Sequence, residues 1–527
     1  MSNVSTASPS AGAPAADAGP APLTGPTLAI TAIALALGTF MQVLDATIAN
    51  VSIPTIAGDL GVSVNQGTWV ITGFAVSNGI SVPLTGWLMQ RFGVVKTFLG
   101  SVALFTFMSF LCGVAWNLDS LVLFRVLQGA VSGPMIPGSQ ALLIMIFGRG
   151  KQATALAIWS MTTLVAPIMG PILGGFISDN FSWPWIFLIN LPVGAICVFL
   201  CWTGLRGHET PTRKLPIDTV GFSMLIVWVG ALQVMLDTGK DADWFSSPVI
   251  VAEAVIAAVG FVAWLIWELT EKHPVVDLSL FRQRNFALGA LILSLGYATF
   301  FGINLLMPLW LQTQMGYTAT WAGLVAAPSG FVAVVMTPFI ARLIGKIDAR
   351  WVATVSIGAF ALSFYMRSLY APDADFIELV IPALVMGFGM SGFFISMVTL
   401  ALNGVPPQQV PQATGLSNFA RITAGSFAAS LTTTVWDRSE AQHQTRLAET
   451  VGTPGDPLWQ AAQNGLQQHG ASQGQSFAAM FQQVLHQAYF LATVDLFRLS
   501  ALITVALIPL IWLTSAARSR GGPAAAD

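Results

Sequence analysis

Asp45 stands in the run Leu44-Asp45-Ala46-Thr47-Ile48-Ala49-Asn50-Val51, inside an apolar stretch with no other acid between Asp17 and Asp59. A carboxylate near the centre of a bilayer costs roughly 2.5–3.5 kcal/mol on insertion scales, so an acid so placed points to binding or to carrying a proton. The alternative is an aspartate that reaches interfacial water or caps a neighbouring backbone. Four arginines also fall in apolar segments: Arg125, Arg367, Arg421 and Arg498. Arg125 opens Arg125-Val126-Leu127-Gln128-Gly129. Asp45 lies late in an outgoing segment and Arg125 early in a returning one, so the two can share a depth. A guanidinium favours the charged acid and burial opposes it, so separating the pair changes the acid's hold on a proton. For Arg125 the alternative is an interfacial side chain that snorkels outward. Arg421, in Leu416-Ser417-Asn418-Phe419-Ala420-Arg421, lies deeper, and Ser417 and Asn418 can line the same wet path. Asp495 and Arg498, three apart, read as a local ion pair.

The elements that must position these groups are helices in lipid. The 527 residues are 54% hydrophobic and 9% charged, with mean hydropathy +0.71. Soluble chains carry about 25% charged residues, so this composition belongs to an all-α polytopic membrane protein. The alternating pattern of a membrane barrel is absent, and a net charge of −2 argues against nucleic acid. Cys112, Cys197 and Cys201 lie in apolar segments without a histidine beside them, and read as packing residues rather than a metal site. No P-loop, Ser/His/Asp arrangement or metal cluster suggests an enzyme or an ATP-driven pump.

Fourteen apolar segments follow an Ala/Pro/Ser-rich tail at 1–26 that lacks the basic start of a secretory signal. Six lie in 27–205, two in 206–285 and six in 286–515; residues 516–527 form a second tail. With the tails on the cytoplasmic side, fifteen of the 22 basic residues fall inside, three outside and four within segments. That asymmetry orients both termini to the cytoplasm. The polar, Gln-rich connection 437–490 is far longer than an ordinary loop, which suggests a functional or partner-facing insertion. Within it Phe477, Met480, Phe481, Val484 and Leu485 have helical spacing. A faint repeat links Gly67-Thr68-Trp69 and Pro83 to Ala319-Thr320-Trp321 and Pro338, as the pseudo-symmetry of transporters would produce.

Several stretches look built to bend or to pack closely. The fifth segment holds Pro167, Gly170, Pro171, Gly174 and Gly175; the fourth holds Gly129, Gly133 and Pro134. Proline removes a backbone donor and glycine permits close helix approach, so these read as bends with small-residue faces. At the second segment's inner end, Gly86, Arg91 and Gly93 mark a tight basic turn that can meet the carbonyl ends of neighbouring helices.

Together these stretches resemble the major facilitator superfamily, and within it the fourteen-helix drug:proton antiporters of the EmrB type, over residues 27–515. The matching runs are Leu44–Leu60, Gly67–Ile71, Trp159–Gly175, Trp183–Pro192, Tyr317–Gly323 and Leu416–Thr434. The resemblance implies two six-helix bundles with two extra central helices, and alternating access that exports hydrophobic, drug-like compounds as protons enter. It implies a place in the bacterial inner membrane, with an EmrA-like periplasmic adaptor and a TolC-like outer-membrane channel as partners; connection 437–490 would be one contact for the adaptor. Asp45 matches the family's first-helix acid, Arg125 its fourth-helix arginine, and Gly170, Pro171, Gly174 and Gly175 its antiporter motif. Two departures stand out. Gln90 and Val94-Val95 replace the acid and the basic pair of the cytoplasmic loop motif, and Ala166 replaces the first glycine of the antiporter motif.

Three expectations follow. Asp45, Arg125 and Arg421 couple protons, with the Asp45–Arg125 pair belonging to the drug-accepting state. The drug cavity is broad and aromatic, drawing on Thr47, Asn50, Trp69, Phe74, Gln128, Phe300, Phe301, Phe393, Phe394 and Asn418. No cofactor is required. A proton-coupled importer of a small metabolite and a non-transporting receptor or scaffold are the alternatives.

Overall fold

The computed structural model describes residues 22–148, 151–213, 216, 218–272, 274–344, 346–451, 457–469 and 471–516. Most of both tails lies outside the described residues, as do Arg149, Lys214, Arg518, Arg520 and the side chains of Asn50 and Pro171.

Among the described residues all regular structure is helical, and each of the fourteen apolar segments forms helix. The first is α1 (Gly25–Asp59); the second is broken into α2 (Val64–Gly67), α3 (Trp69–Ser81) and α4 (Thr85–Phe92), with a 3-10 turn at Val82–Leu84 around Pro83. Then come α5 (Val94–Gly113), the pair α6 (Leu118–Ser132) and α7 (Met135–Phe147), α8 (Gln152–Asn180), and α9 (Trp185–Leu188) with α10 (Asn190–Gly204). The central hairpin is α11 (Thr219–Thr238) and α12 (Pro248–Thr270). The second half holds α13 (Arg284–Thr313), α14 (Ala319–Ile344), α15 (Ala349–Arg367), α16 (Phe376–Ala401), α17 (Val410–Val451), α18 (Pro457–Gln468) and α19 (Gln473–Trp512). Among the described residues, eleven helices are long and apolar enough to cross a membrane by length and composition. The second and thirteenth segments are not among them; the second is cut into short pieces, and the thirteenth carries Gln412, Asn418 and Arg421.

The expected break at Gly133-Pro134 is present between α6 and α7, whereas α8 runs without interruption through Pro167 and Pro171. Helix α1 packs along α8 and α10, and α3 along α6. A Cβ on Gly174 would stand 2.8 Å from the carbonyl oxygen of Ile48, and one on Gly170 would strike Thr47. Gly129 and Gly133 meet α3 and its end in the same way, at Phe74–Ser77 and at Ser81. Small residues therefore set two helix crossings, as side-chain-free surfaces do in lipid. Gly175 is the exception: nothing lies within 4 Å of its would-be Cβ, so it takes no part in the packing face. Ala166 is fully buried, and a methyl group is accommodated where a glycine was expected.

Both described ends meet on one face. Leu23 N–H donates to Ile146 O at 3.0 Å, Arg213 N–H to Gln90 O at 2.8 Å, and Arg350 Nη1 to Thr514 O at 3.2 Å. Asn285 Oδ1 accepts from Ser515 N–H at 2.7 Å. On this terminal face the two halves touch: a Cβ on Gly86 of α4 would lie 3.1 Å from the Cα of Gln412 in α17, and Asn418 Nδ2 donates to Gln140 Oε1 of α7 at 2.7 Å. The central hairpin lies beside α3 and α17. It packs on α3 and is tied to α17 by Ser430 Oγ donating to Leu236 O (2.7 Å), Trp244 Nε1 to Thr434 Oγ1 (2.9 Å) and a Lys240–Asp437 ion pair at 2.9 Å.

The stretch 437–490 is not mainly loop. Helix α17 continues to Val451 and α19 begins at Gln473, so both helices extend past the expected segments, with α18 against α19. The helix read from Phe477–Leu485 is the first part of α19, where Met480 is buried and Phe477 and Phe481 are exposed.

Candidate functional site

Asp45 and Arg125 are both fully buried, and Arg125 Nη1 lies 2.5 Å from Asp45 Oδ2. The other carboxylate oxygen accepts from Asn190 Nδ2 at 2.8 Å and from Gln128 Nε2 at 3.3 Å. Arg125 also donates through Nε to Val70 O (3.1 Å) and through Nη1 to Gln128 Oε1 (2.7 Å). Its guanidinium carbon sits 4.2 Å from the Phe74 ring centroid and 5.4 Å from that of Phe187. Asn190 Nδ2 reaches Ser109 Oγ at 2.9 Å, and Ser109 in turn donates to Phe187 O at 2.9 Å. Five segments thus meet at one carboxylate. A buried charge survives only when paired and hydrogen-bonded, and here both oxygens have donors. The alternatives of interfacial water for Asp45 and of outward snorkelling for Arg125 are excluded by this burial.

Sequence reading placed Asp45 and Arg125 together but missed Asn190, Ser109 and Phe187. A signal for Asn190 existed: it is the only amide in the apolar run Trp183–Pro192.

Arg421 forms a second centre, apart from the first. Its Nη2 donates to Asn418 Oδ1 at 2.9 Å, its Nε has no partner, and it makes no salt bridge among the described residues. Aromatic faces surround it instead: Tyr297 at 4.7 Å, and Trp159 and Phe394 each at 5.9 Å. Trp159 comes from the first half and the other two rings from the second, so this cation sits at their junction, where cation–π attraction partly replaces a counter-ion. Arg421 makes no contact with Asp45 or Arg125 among the described residues.

The proposed cavity residues scatter. Phe74 and Gln128 belong to the Asp45 network, and Asn418 and Phe394 to the Arg421 centre. Phe301 stacks on Tyr297 at 5.6 Å and Phe300 on Phe360 at 5.8 Å. Phe393 is fully buried against Phe360. Thr47 spends its hydroxyl on the carbonyls of Val43 and Leu44, and Trp69 is exposed at the start of α3. Elsewhere, Asp495 stands 3.7 Å from Arg498 but 2.7 Å from His443, so the local pair is the lesser contact. Arg367 is buried with Nε and Nη1 unpartnered, and the three cysteines are buried and free.

The altered basic turn after the second segment is completed from elsewhere. Arg91 lies over the Trp87 and Phe92 rings, and Gly93 has φ +95°, a backbone that favours glycine. Glu209 Oε1 and Oε2 accept from Val95 N–H (3.0 Å) and Lys96 N–H (2.9 Å), and Thr210 Oγ1 accepts from Val94 N–H at 3.1 Å. An acid from the connection after α10 therefore caps the positive end of α5.

Two packed helical halves, one holding a buried acid–guanidinium pair, define a polytopic membrane protein of the secondary-transporter class. The major facilitator superfamily model matches residues 35–429. The multidrug export protein EmrB of Escherichia coli (strain K12) is 47% identical over 95% of this chain and 98% of its own. The fatty acid resistance protein FarB of Neisseria gonorrhoeae is 44% identical over 95% of this chain and 99% of its own. Among solved structures, the proton:xylose symporter XylE superposes with TM-score 0.57 at 13% identity, covering 92% of this chain and 96% of its own, which shows the shared fold. The chain belongs to the major facilitator superfamily, in the family of the EmrB multidrug export proteins.

Proposed function

We propose that the protein exports hydrophobic toxic compounds across the bacterial inner membrane in exchange for protons, by alternating access of two rocking six-helix bundles. The family places it among multidrug efflux transporters. The observation that carries proton exchange is Asp45, a fully buried acid whose three donors come from two other segments. A proton gradient biases only an equilibrium whose two states bind protons differently, and a buried acid whose donors move with the helices supplies that difference.

With the termini cytoplasmic, as the basic residues favour, the terminal face is the cytoplasmic one. Contacts between the halves there coexist with the intact Asp45–Arg125 pair. The pairing is therefore assigned to the state closed toward the cytoplasm, the reverse of the order expected from sequence. A proton arriving from outside neutralises Asp45, releases Arg125 and favours rearrangement toward the cytoplasm-open state. Proton loss to the cytoplasm restores the pair as drug is carried out. The helical projection of α17, α18 and α19 is the proposed contact for an EmrA-like adaptor, which would lead to a TolC-like channel.

The test is dye efflux from cells expressing Asp45→Asn, with membrane insertion verified. Gradient-driven efflux at the wild-type rate would end the coupling proposal. For the projection, a variant shortened within 440–485 should lose adaptor capture; undiminished capture removes that contact.

A further inference from the structure

A cavity of about 1010 Å³ lies between the α11–α12 hairpin and α17, and neither Asp45 nor Arg421 lines it. Its walls are aromatic and apolar: Trp228 and Leu232 from α11, Phe261 and Trp264 from α12, Phe419 and Phe427 from α17. The Trp228 ring lies 5.1 Å from Phe261, 5.4 Å from Trp264 and 6.1 Å from Phe419, so one indole joins all three helices. Phe261 and Leu269 in the same wall are exposed, which turns one side of the cavity toward the surface that lipid covers.

Two polar side chains in this wall, Trp264 and Glu268, face each other, and among the described residues the buried Trp228 Nε1 has no partner. Glu268 is 3% exposed and lines the cavity; its Oε2 accepts from Val276 N–H at 3.3 Å, and its Oε1 lies on the Gly221 side of the wall. An unsatisfied buried polar group costs about 1–3 kcal/mol, so such an atom beside a void marks a place for a ligand. The sign of the ligand follows from the rim. Glu268, Glu271 and Asp277 line this end against the single cation Arg282. Asp218 is close by across Gly221, one oxygen accepting from Gly221 N–H at 2.9 Å and the other from Trp267 Nε1 at 2.9 Å. An anion would be repelled there. A cation on an aromatic body would meet Glu268 and gain attraction from the indole faces. The volume matches a drug-sized occupant.

We propose that this cavity is a binding site for lipophilic cations, with the apolar body among Trp228, Phe261 and Phe419 and the charge on Glu268. The site is separate from Asp45 and is tested by equilibrium binding without a gradient, so its fate is independent of the coupling proposal. Purified full-length protein in phosphatidylcholine nanodiscs is titrated with ethidium. Glu268→Gln should weaken ethidium about tenfold or more while leaving uncharged Nile red unaffected. Ala258→Trp, which fills the cavity from α12, should weaken both. Unchanged ethidium affinity in Glu268→Gln overturns the proposal, as does native mass spectrometry showing a phospholipid in the wild type that ethidium fails to displace.

Discussion

Asp45 is held by Arg125, Gln128 and Asn190 at once, and these donors are unequal. Removing Arg125 alone leaves a buried carboxylate uncompensated, which costs about 3–5 kcal/mol. Arg125→Met should therefore lower thermal stability in detergent sharply, and Asp45→Asn in the same chain should restore most of it. Asn190→Val removes one neutral donor and frees Ser109, a loss of about 1–3 kcal/mol. Its efflux should fall with a smaller drop in melting temperature than Arg125→Met shows. A melting temperature equal to wild type for Asn190→Val would mean the amide is idle. Glu440 belongs to the same scale but lies outside the membrane-crossing stretch. Burial and the neighbouring Asp437 push its carboxyl above the ordinary value. A raised acid stabilises the fold while protonated, and that contribution is lost as pH rises past the ordinary glutamate value of about 4.3 and through the raised one. Glu440→Gln should thus raise the melting temperature at pH 8 and leave it unchanged near pH 4.

At the scale of the element, α5 depends on a cap that its own sequence lacks. Its first N–H groups are satisfied by Thr210 and Glu209, from the connection after α10. Losing a capping acceptor costs about 0.5–2 kcal/mol, with a further dipole contribution from the charge. Glu209→Ala should reduce stability by that order, and Glu209→Gln by less, measured by thermal unfolding in detergent. Equal stability of Glu209→Ala and wild type would refute the cap. The same reasoning explains why Gln90 is tolerated: the positive helix end receives its acid in space rather than in the local motif.

For the whole molecule, alternating access requires the terminal face to open. An ideal Cβ on Gly86 lies 3.3 Å from the Cβ of Gln412, near the 3.5–4.5 Å a disulfide spans. Oxidised Gly86→Cys/Gln412→Cys should lose efflux and regain it on reduction; transport that survives complete cross-linking would rule out opening at this junction. The native Cys112, Cys197 and Cys201 are buried and are replaced first.

Composition and spacing by themselves determined the helical membrane class, the position of the apolar segments and the pairing of Asp45 with Arg125. Each rests on a local rule: lipid demands long apolar helices, and two opposite charges at matching depths have strong reason to meet. Only the tertiary structure decided that Arg421 stands apart among aromatic rings, that Phe393 is packing, and that 437–490 is largely helix. It alone brought Asn190 and Ser109 to Asp45, Glu209 to α5, and Glu268 to an aromatic cavity. Those contacts join residues from distant parts of the chain. Their energies depend on distances of a few ångströms across helix junctions, which no run of neighbouring residues encodes.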